Sequence, residues 1–418
     1  MTPLINSRWN PIYTMPGTSS LVTSTLRRLH MTDSLRLLHS SDWHIGMTRR
    51  HLPESKQAVF RDARLSAVER LCEHAVNYDV AAVVVAGDIF DGTQLDSNTI
   101  VSLLEMLGDL PCPVVLQPGN HDSYQRESVY CAPAFRTHCP DNVIVPTEPT
   151  VLVLPEISQL ELIVGPYTNR YPTENPFFTA LQSIENHPKD SDTYRVGIVH
   201  GSVDTFAPQL DDAIGGDVIP LEKLENALSQ YDCDYIALGD RHSTATVGKS
   251  GRIWYSGSPE MTDFDDVEKD SGHCLLVELA ADDCTVTPLD CGKWTFHTVQ
   301  KDINSVADIT ELAHYFDTLP NKRRTVIRLA CNATLPLDDA AYLAEEEDRW
   351  ESMLAGFHVW ERNSSTHVLP ATDEVRKNLA GYVAEAADEL AQQAEAGDET
   401  AQNALMLLYR LAAQGGYH

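Results

Sequence analysis

The sequence has no apolar run long enough to span a membrane and no pair of cysteines in a C-x-x-C arrangement. A transmembrane helix needs about 20 consecutive apolar residues, so we expect no membrane span. The nine cysteines are an odd number, and several stand among apolar residues, which is typical of buried thiols rather than disulfides. Residues 1–34 lack the charged, apolar and small-residue regions of a signal peptide. We therefore expect a cytoplasmic protein, with residues 1–34 as a disordered extension or as sequence before the true start.

Positive charge is scarce, because 31 Lys and Arg residues stand against 61 Asp and Glu residues, a formal net charge of −30. Proteins bind nucleic-acid phosphates mainly through Lys and Arg, so this average argues against tight DNA binding by this chain alone. Much of the acid lies late in the chain, in residues 345–348 and 373–399. Individual basic residues still provide material for a local patch; they are Arg49, Arg50, Arg126, Arg241, Lys249 and Arg252.

Five short polar clusters each follow an apolar run, and together they contain carboxylates, imidazoles and one amide. Such side chains, delivered from several strand ends, are suited to a pair of divalent cations that activates water against a phosphate ester. The clusters are Asp42-Trp43-His44, Gly87-Asp88, Gly119-Asn120-His121-Asp122, His200-Gly201 and Gly239-Asp240-Arg241-His242.

Each cluster taken alone has an ordinary explanation. An isolated Asp-x-His is common, Asn-His-Asp occurs in plain turns, and a single histidine is more often structural than a ligand. The joint occurrence of all five at the ends of apolar runs favours a metal site. The remaining histidines singled out lack this context, and we interpret them as structural: His39, His51, His74, His138 and His187.

Alternating strand and helix patterns over residues 35–122 predict a largely parallel sheet, with its functional residues at the carboxyl edge. The following segment, to about residue 293, is richer in strands, which two facing sheets wrapped by helices would accommodate. Residues 294–371 predict a small α+β domain. Residues 372–418 predict a C-terminal helical segment, with a break at Ala396-Gly397-Asp398.

Two further segments support a resemblance to a known family. Gly87-Asp88-Ile89-Phe90-Asp91, and Trp254-Tyr255-Ser256-Gly257-Ser258-Pro259 followed by Phe264, resemble motifs of calcineurin-like metallophosphoesterases. Within that superfamily the chain is similar to the SbcD-type nucleases of DNA double-strand-break repair. The resemblance is specific over about residues 35–275 and looser beyond. It implies an αββα two-sheet sandwich over residues 35–293, followed by a DNA-capping domain.

The resemblance also implies a ligand set. One cation would be held by Asp42, His44, Asp88 and His242, and the other by Asp88, Asn120, His200 and Asp240. His121 would be the catalytic histidine, and Asp122 would orient its ring. We expect two divalent cations, Mn²⁺ or else Mg²⁺, because carboxylate and amide oxygens are hard ligands.

Asp240 departs from the family pattern Gly-His-x-His, because this chain reads Gly239-Asp240-Arg241-His242. If Asp240 binds the second cation, three carboxylates face two divalent ions, and the formal charge of the site falls from +2 to +1. That change favours Mn²⁺ or Mg²⁺ over zinc and an alkaline activity optimum. In the competing interpretation Asp240 is too short to reach the ion, or it pairs with Arg241.

Three functions remain open at this point. The first is a DNA exo/endonuclease with a coiled-coil ATPase partner, bound by the helices of residues 372–414; a homodimer is also left open. Those helices are equally able to fold back onto their own chain. The second is a phosphodiesterase acting on nucleotides or other small esters, which the acidic charge favours. The third is an inactive metal-stabilised scaffold, against which the complete set of other ligand types argues.

Overall fold

The computed structural model describes residues 34–50, 52–93, 95–184, 188–190, 192–206, 218–281, 283–369, 381–398, 400–401, 403–405 and 407–408. The expected N-terminal extension lies outside these residues, except that Ser34 already begins the first strand. His51 and His187, both interpreted as structural, also lie outside the described residues.

The strands in chain order are β1 (Ser34–Ser40), β2 (Ala82–Ala86), β3 (Val114–Gln117), β4 (Val143–Ile144), β5 (Thr150–Val153), β6 (Leu160–Val164), β7 (Tyr194–His200), β8 (Ser202–Val203), β9 (Val218–Ile219), β10 (Tyr235–Gly239), β11 (Ala245–Thr246), β12 (Ile253–Tyr255), β13 (His273–Ala280), β14 (Cys284–Asp290), β15 (Thr295–Ile303), β16 (Thr325–Pro336), β17 (Gly356–Val359) and β18 (Ser365–Leu369). The α helices of the described residues are α1 (Glu54–Asn77), α2 (Ser97–Gly108), α3 (Pro133–His138), α4 (Pro176–Gln182), α5 (Leu221–Gln230), α6 (Val306–Thr318), α7 (Leu337–Met353) and α8 (Tyr382–Glu395).

Two six-stranded sheets carry the polar clusters. The first has the order β14-β13-β1-β2-β3-β4, in which β1 to β4 are parallel and β13 and β14 are antiparallel. The second has the order β11-β12-β10-β7-β6-β5, with a parallel centre and antiparallel edges. The strand β2 is buried along its whole length, which explains its unbroken apolar sequence.

The two sheets face each other and are covered by helices on their outer sides. Residues such as Val84 and Val196 form the layer between the sheets. On the outer face of the first sheet, Leu71 of α1 and Leu104 of α2 pack against the strands, and α4 and α5 cover the second sheet in the same way. This confirms the predicted two-sheet αββα sandwich.

A third sheet lies beyond the sandwich. Its strands β15, β16, β17 and β18 are all parallel, and α6 and α7 pack on it. It shares a small apolar core with α1, where the rings of Phe60 and Trp294 meet edge to face at 5.2 Å. The change of sheet falls between Asp290 and Thr295, next to the expected boundary at residue 293, but the division into domains stays a prediction.

The C-terminal helix α8 contacts its own chain. Ala387 of α8 and Leu405 are buried together with Leu337 at the start of α7. The break expected at residues 396–398 follows the end of α8 at Glu395. Residues 370–380 lie outside the described part of the chain. Among the residues that the structure describes, no helix combines the length and the apolar character needed to cross a membrane.

Candidate metal centre

The five polar clusters meet at one edge of the sandwich, because the parallel strands that precede them end at the same level. The backbone ties them together: Asp42 N–H donates to Gly87 O at 3.0 Å, His44 N–H donates to Asp88 O at 3.0 Å, and Gly201 N–H donates to Gly239 O at 3.1 Å. Three tight groups of ligand atoms result, namely Asp42 with His44 and His242, Asp42 with Asp88 and His200, and His44 with Asp91 and His121.

Asp88 lies between two groups of donor atoms. Its Oδ1 is 3.4 Å from Nε2 of His200, and its Oδ2 is 3.8 Å from Nε2 of His44. The approach depends on a glycine, since a side chain at Gly119 would collide with the Asp88 carboxylate. Burial raises the pKa of Asp88 to about 8, an effect that His200 opposes and that Asp122 and Asp42 reinforce. A buried carboxylate in this position needs a nearby positive charge to remain ionised.

Three histidines present the same ring nitrogen to this space. His200 Nδ1 lies 2.8 Å from Ala86 O, an acceptor, so Nδ1 carries a proton and Nε2 is the nitrogen directed into the cluster. His242 Nδ1 lies 2.6 Å from Thr262 Oγ1, which itself donates to Glu268. His44 Nδ1 lies 3.2 Å from Asp91 Oδ1. His200 and His242 thus have an acceptor on one ring nitrogen and direct the other into a polar cluster, which is characteristic of metal-binding histidines.

The donor separations fit two divalent cations. Ligand bonds of about 2.0–2.2 Å place neighbouring donors roughly 3–4 Å apart. His200 Nε2 is 3.4 Å from Asn120 Oδ1 and 3.9 Å from Asp240 Oδ1. The Nε2 atoms of His44 and His242 are 3.0 Å apart. The side chains present therefore match the hard oxygen and imidazole ligands expected for such ions.

Four of these residues have unusual backbone geometry. The φ angles are 54° for Asp42, 44° for His44, 55° for Asp88 and 100° for Asp240. Non-glycine residues rarely adopt positive φ, and such strain persists only where the surroundings enforce it. Part of that enforcement is local, because the Asp240 N–H donates to both carboxylate oxygens of Asp42 at 3.1 and 3.2 Å.

Arg64 of α1 supports the site from behind. It is fully buried and donates to Trp43 O at 2.7 Å and to Ser258 Oγ at 3.0 Å. Ser258 Oγ in turn donates to Asp42 O at 2.7 Å. Burial lowers the pKa of Arg64 to about 10, so the guanidinium stays charged at neutral pH. Arg64 thus fixes the backbone on which Asp42 and His44 stand.

His121 stands at the exposed mouth of the site. Its ring meets that of His44 edge to face at 5.0 Å, and its backbone N–H donates to Asp88 Oδ1 at 3.0 Å. The His121 imidazole is therefore accessible from solvent beside the ligand atoms.

Asp122 has partners other than the one expected for it. We expected it to orient the His121 ring, but its Oδ1 accepts from Gly119 N–H at 2.7 Å and its Oδ2 accepts from Tyr130 O–H at 2.6 Å. The same Oδ2 also accepts from Ile89 N–H at 2.9 Å. Because these groups occupy the carboxylate, its observed role is to fasten the loops after β2 and β3 to one another.

Asp240 points toward the second donor group, within 3.9 Å of His200. The guanidinium of Arg241, its expected competitor, lies over the ring of Phe206 at 4.4 Å. This geometry favours ligation by Asp240 over pairing with Arg241.

The supporting residues missed from the sequence include Arg64, Asp91, Thr262 and Glu268. Asp91 could have been found from the sequence, because it ends the motif Gly87-Asp88-Ile89-Phe90-Asp91, three positions after Asp88. No sequence pattern marks Thr262 and Glu268, since they lie in a loop without strand or helix periodicity. They come close to His242 only when the chain is folded.

Comparison with known proteins gives three results. A family model described as "Calcineurin-like phosphoesterase" matches residues 35–272. The SbcD component of the SbcCD nuclease from Escherichia coli strains K12 and O157:H7 is 28% identical over 262 residues, which cover 56% of this chain and 63% of each relative. The match therefore spans less than two thirds of those relatives. The solved structure of TT1561 from Thermus thermophilus is 10% identical with a TM-score of 0.38, covering 61% of this chain and 98% of that one.

Proposed function

The chain belongs to the calcineurin-like phosphoesterase family, and we propose that it is a metal-dependent phosphodiesterase that hydrolyses DNA. The observation that carries the proposal is the position of Asp88. One of its oxygens faces His200 and the other faces His44, so a single carboxylate serves both donor groups. That arrangement suits a two-cation hydrolase of phosphate esters.

Two divalent cations, when bound, would supply Lewis-acid activation of water and neutralise negative charge on the phosphate. Asp42, His44 and His242 would hold one, and Asn120, His200 and Asp240 the other, with Asp88 shared. The chain's own contribution to the reaction is His121. From the mouth of the site it contacts the scissile phosphate or protonates the leaving oxygen, a role typically worth ~10²–10⁴-fold in rate.

We propose Mn²⁺ as the working ion, with Mg²⁺ as the substitute. The second donor group contributes two carboxylates and an amide oxygen beside a single imidazole, and such hard donors favour these ions over zinc. The substitution Asp240→His should restore the formal charge that the site has in the family pattern, and it should move the metal preference toward zinc. A competition experiment with equal Mn²⁺ and Zn²⁺, read out as bound metal, tests this, and unchanged preference would count against ligation by Asp240.

DNA is proposed as the substrate because of the similarity to the SbcCD nuclease components and because basic side chains act on residues of the site. The charge of the exposed Arg170 acts on His121, and that of Arg49 acts on Asp91. By the same similarity we propose that the chain acts in DNA repair, in the cytoplasm, with a coiled-coil ATPase partner. Tyr382 of α8 is 83% exposed and is available to such a partner.

A phosphodiesterase of small esters is the second candidate, favoured by the net charge of −30. The decisive assay compares labelled duplex DNA, single-stranded DNA and bis-p-nitrophenyl phosphate in the presence of Mn²⁺. We expect cleavage of DNA, abolished by His121→Ala with bound metal unchanged, and retained by the exposed control His138→Ala. Hydrolysis of the small ester without any cleavage of DNA would favour the second candidate.

A further inference from the structure

Two buried thiols that belong to none of the metal-ligand groups are in contact. Cys274 lies in β13, and Cys291 directly follows β14, the neighbouring strand. Their sulfur atoms are 3.5 Å apart, and neither side chain is exposed. The sheet register, which pairs His273 with Asp290, fixes this approach, so the contact does not depend on a flexible loop.

Positively charged side chains of α1 surround Cys291. Arg70 donates through Nε to the carbonyl of Cys291, and His74 Nε2 lies 3.0 Å from the carbonyl of Asp290. His74 is half-buried, so Cys291 lies only one side-chain layer below the surface. Nearby cationic side chains are surroundings that stabilise a thiolate.

The electrostatics separate this pair from the other buried cysteines. The hydrogen bond with Cys274 lowers the pKa of Cys291 to about 6; burial opposes this, and His74 adds to it. By contrast, burial raises the pKa of Cys72 to about 12 and that of Cys112 to about 11. Most buried thiols of the chain are therefore held in the unreactive protonated form, whereas Cys291 is held as the nucleophile.

We propose that Cys291 and Cys274 form a peroxide-reactive dithiol that closes reversibly to a disulfide. The Cys291 thiolate attacks one oxygen of a hydroperoxide and breaks the O–O bond, giving a sulfenic acid and, after protonation, water or an alcohol. The Cys274 sulfur then attacks the sulfenic sulfur, loses its proton and releases water. The two thiols give up two electrons in total, and the peroxide accepts them.

The test uses the full chain in chelator-treated buffer with a small excess of hydrogen peroxide, followed by alkylation of the remaining thiols. Trypsin leaves both cysteines in one peptide with Cys284, so digestion before aspartate is preferable. It separates residues 270–281, 283–289 and 290–301, which contain Cys274, Cys284 and Cys291 respectively. Mass spectrometry should find the first and third peptides linked, with two of nine thiols lost and both recovered by dithiothreitol.

Two variants sharpen the result. Cys291→Ser should abolish the link and leave Cys274 alkylated, whereas Cys233→Ser, a buried control in the separate core on the outer face of the second sheet, should form the link like the wild type. If Cys291→Ser does not fold, the wild-type peptide map decides by itself. Full alkylation of both cysteines after peroxide treatment, or a link from Cys291 to Cys72 instead, would overturn the proposal.

Discussion

The Nε2 atoms of His44 and His242 face each other across 3.0 Å. The opposite nitrogen of His242 bonds to Thr262, and that of His44 lies 3.2 Å from Asp91 Oδ1. Two imidazole nitrogens this close either share a proton or ligate a common cation. The fold therefore holds these rings in an arrangement that a bound cation stabilises.

Mn²⁺ should raise the unfolding temperature of the chelator-treated protein. A ligand that binds only the folded state at 100 times its Kd adds about 2.7 kcal/mol of stability. Scanning fluorimetry across a Mn²⁺ series measures the shift. His242→Asn should lose much of it, and the exposed control His138→Gln should retain it. An equal shift in His242→Asn would exclude His242 as a ligand.

Glu268→Gln should weaken metal binding although Glu268 is not among the proposed ligands. Its carboxylate accepts from Thr262, which bonds to His242, so neutralising it makes the His242 ring a weaker donor. Substitution of such outer partners typically lowers metal affinity by ~10–100-fold. Calorimetric titration with Mn²⁺ measures this, with Glu222→Gln on the exposed face of α5 as the control. Wild-type affinity in Glu268→Gln would show that the contact is only structural.

Arg64→Met should destabilise the protein strongly. The substitution leaves Trp43 O and Ser258 Oγ without their donor and removes a buried positive charge near Glu260. Breaking such a buried charged network costs about 3–5 kcal/mol. Urea unfolding of Arg64→Met beside Arg61→Met, an exposed arginine one turn earlier on α1, isolates the effect of burial. Equal stabilities of the two variants would contradict the role assigned to Arg64.

His39 should make the free energy of unfolding decrease as the pH falls. Burial lowers its pKa to about 3, against 6.5 for the ordinary side chain. Between these values the unfolded chain binds a proton that the folded chain excludes, so stability is lost as pH falls from 6.5 toward 3, by about 1.4 kcal/mol per pH unit. Other groups titrate in the same window, so the comparison is with His39→Gln, which keeps a donor and an acceptor for Leu238 O and Tyr235. The free energy of unfolding should depend less steeply on pH in His39→Gln than in the wild type. Equal slopes for the two proteins would refute the assignment of this acid sensitivity to His39.

The metal-site residues were predictable because each stands where an apolar run stops. Buried strands are recognisable in the apolar runs Val83 to Val85 and Val196 to Val199. Because parallel strands end at the same edge of a sheet, the residues that follow them lie together there. The same patterns predicted the alternating strands and helices of residues 35–122 and the strand-rich segment that follows them. The short strand β17 and the helix α4 show no long periodic pattern from which their bounds could be expected.

The supporting contacts could not be predicted in this way. Arg64 is 194 positions from Ser258, and an arginine inside an ordinary helix reads as a solvent-facing residue. The partners of Asp122 depend on how two loops cross, which its position next to His121 in the sequence does not determine; that Asp122 orients the His121 ring stays a prediction. Residues remote in sequence become neighbours only once the sheets are packed.

The most direct test of the two-cation site is anomalous scattering from crystals soaked in saturating Mn²⁺. We predict two peaks about 3.5–4 Å apart, one among Asp42, His44 and His242 and the other among Asn120, His200 and Asp240, with Asp88 between them. A single peak beside Asp42, or no peak at either position, would contradict a two-cation site.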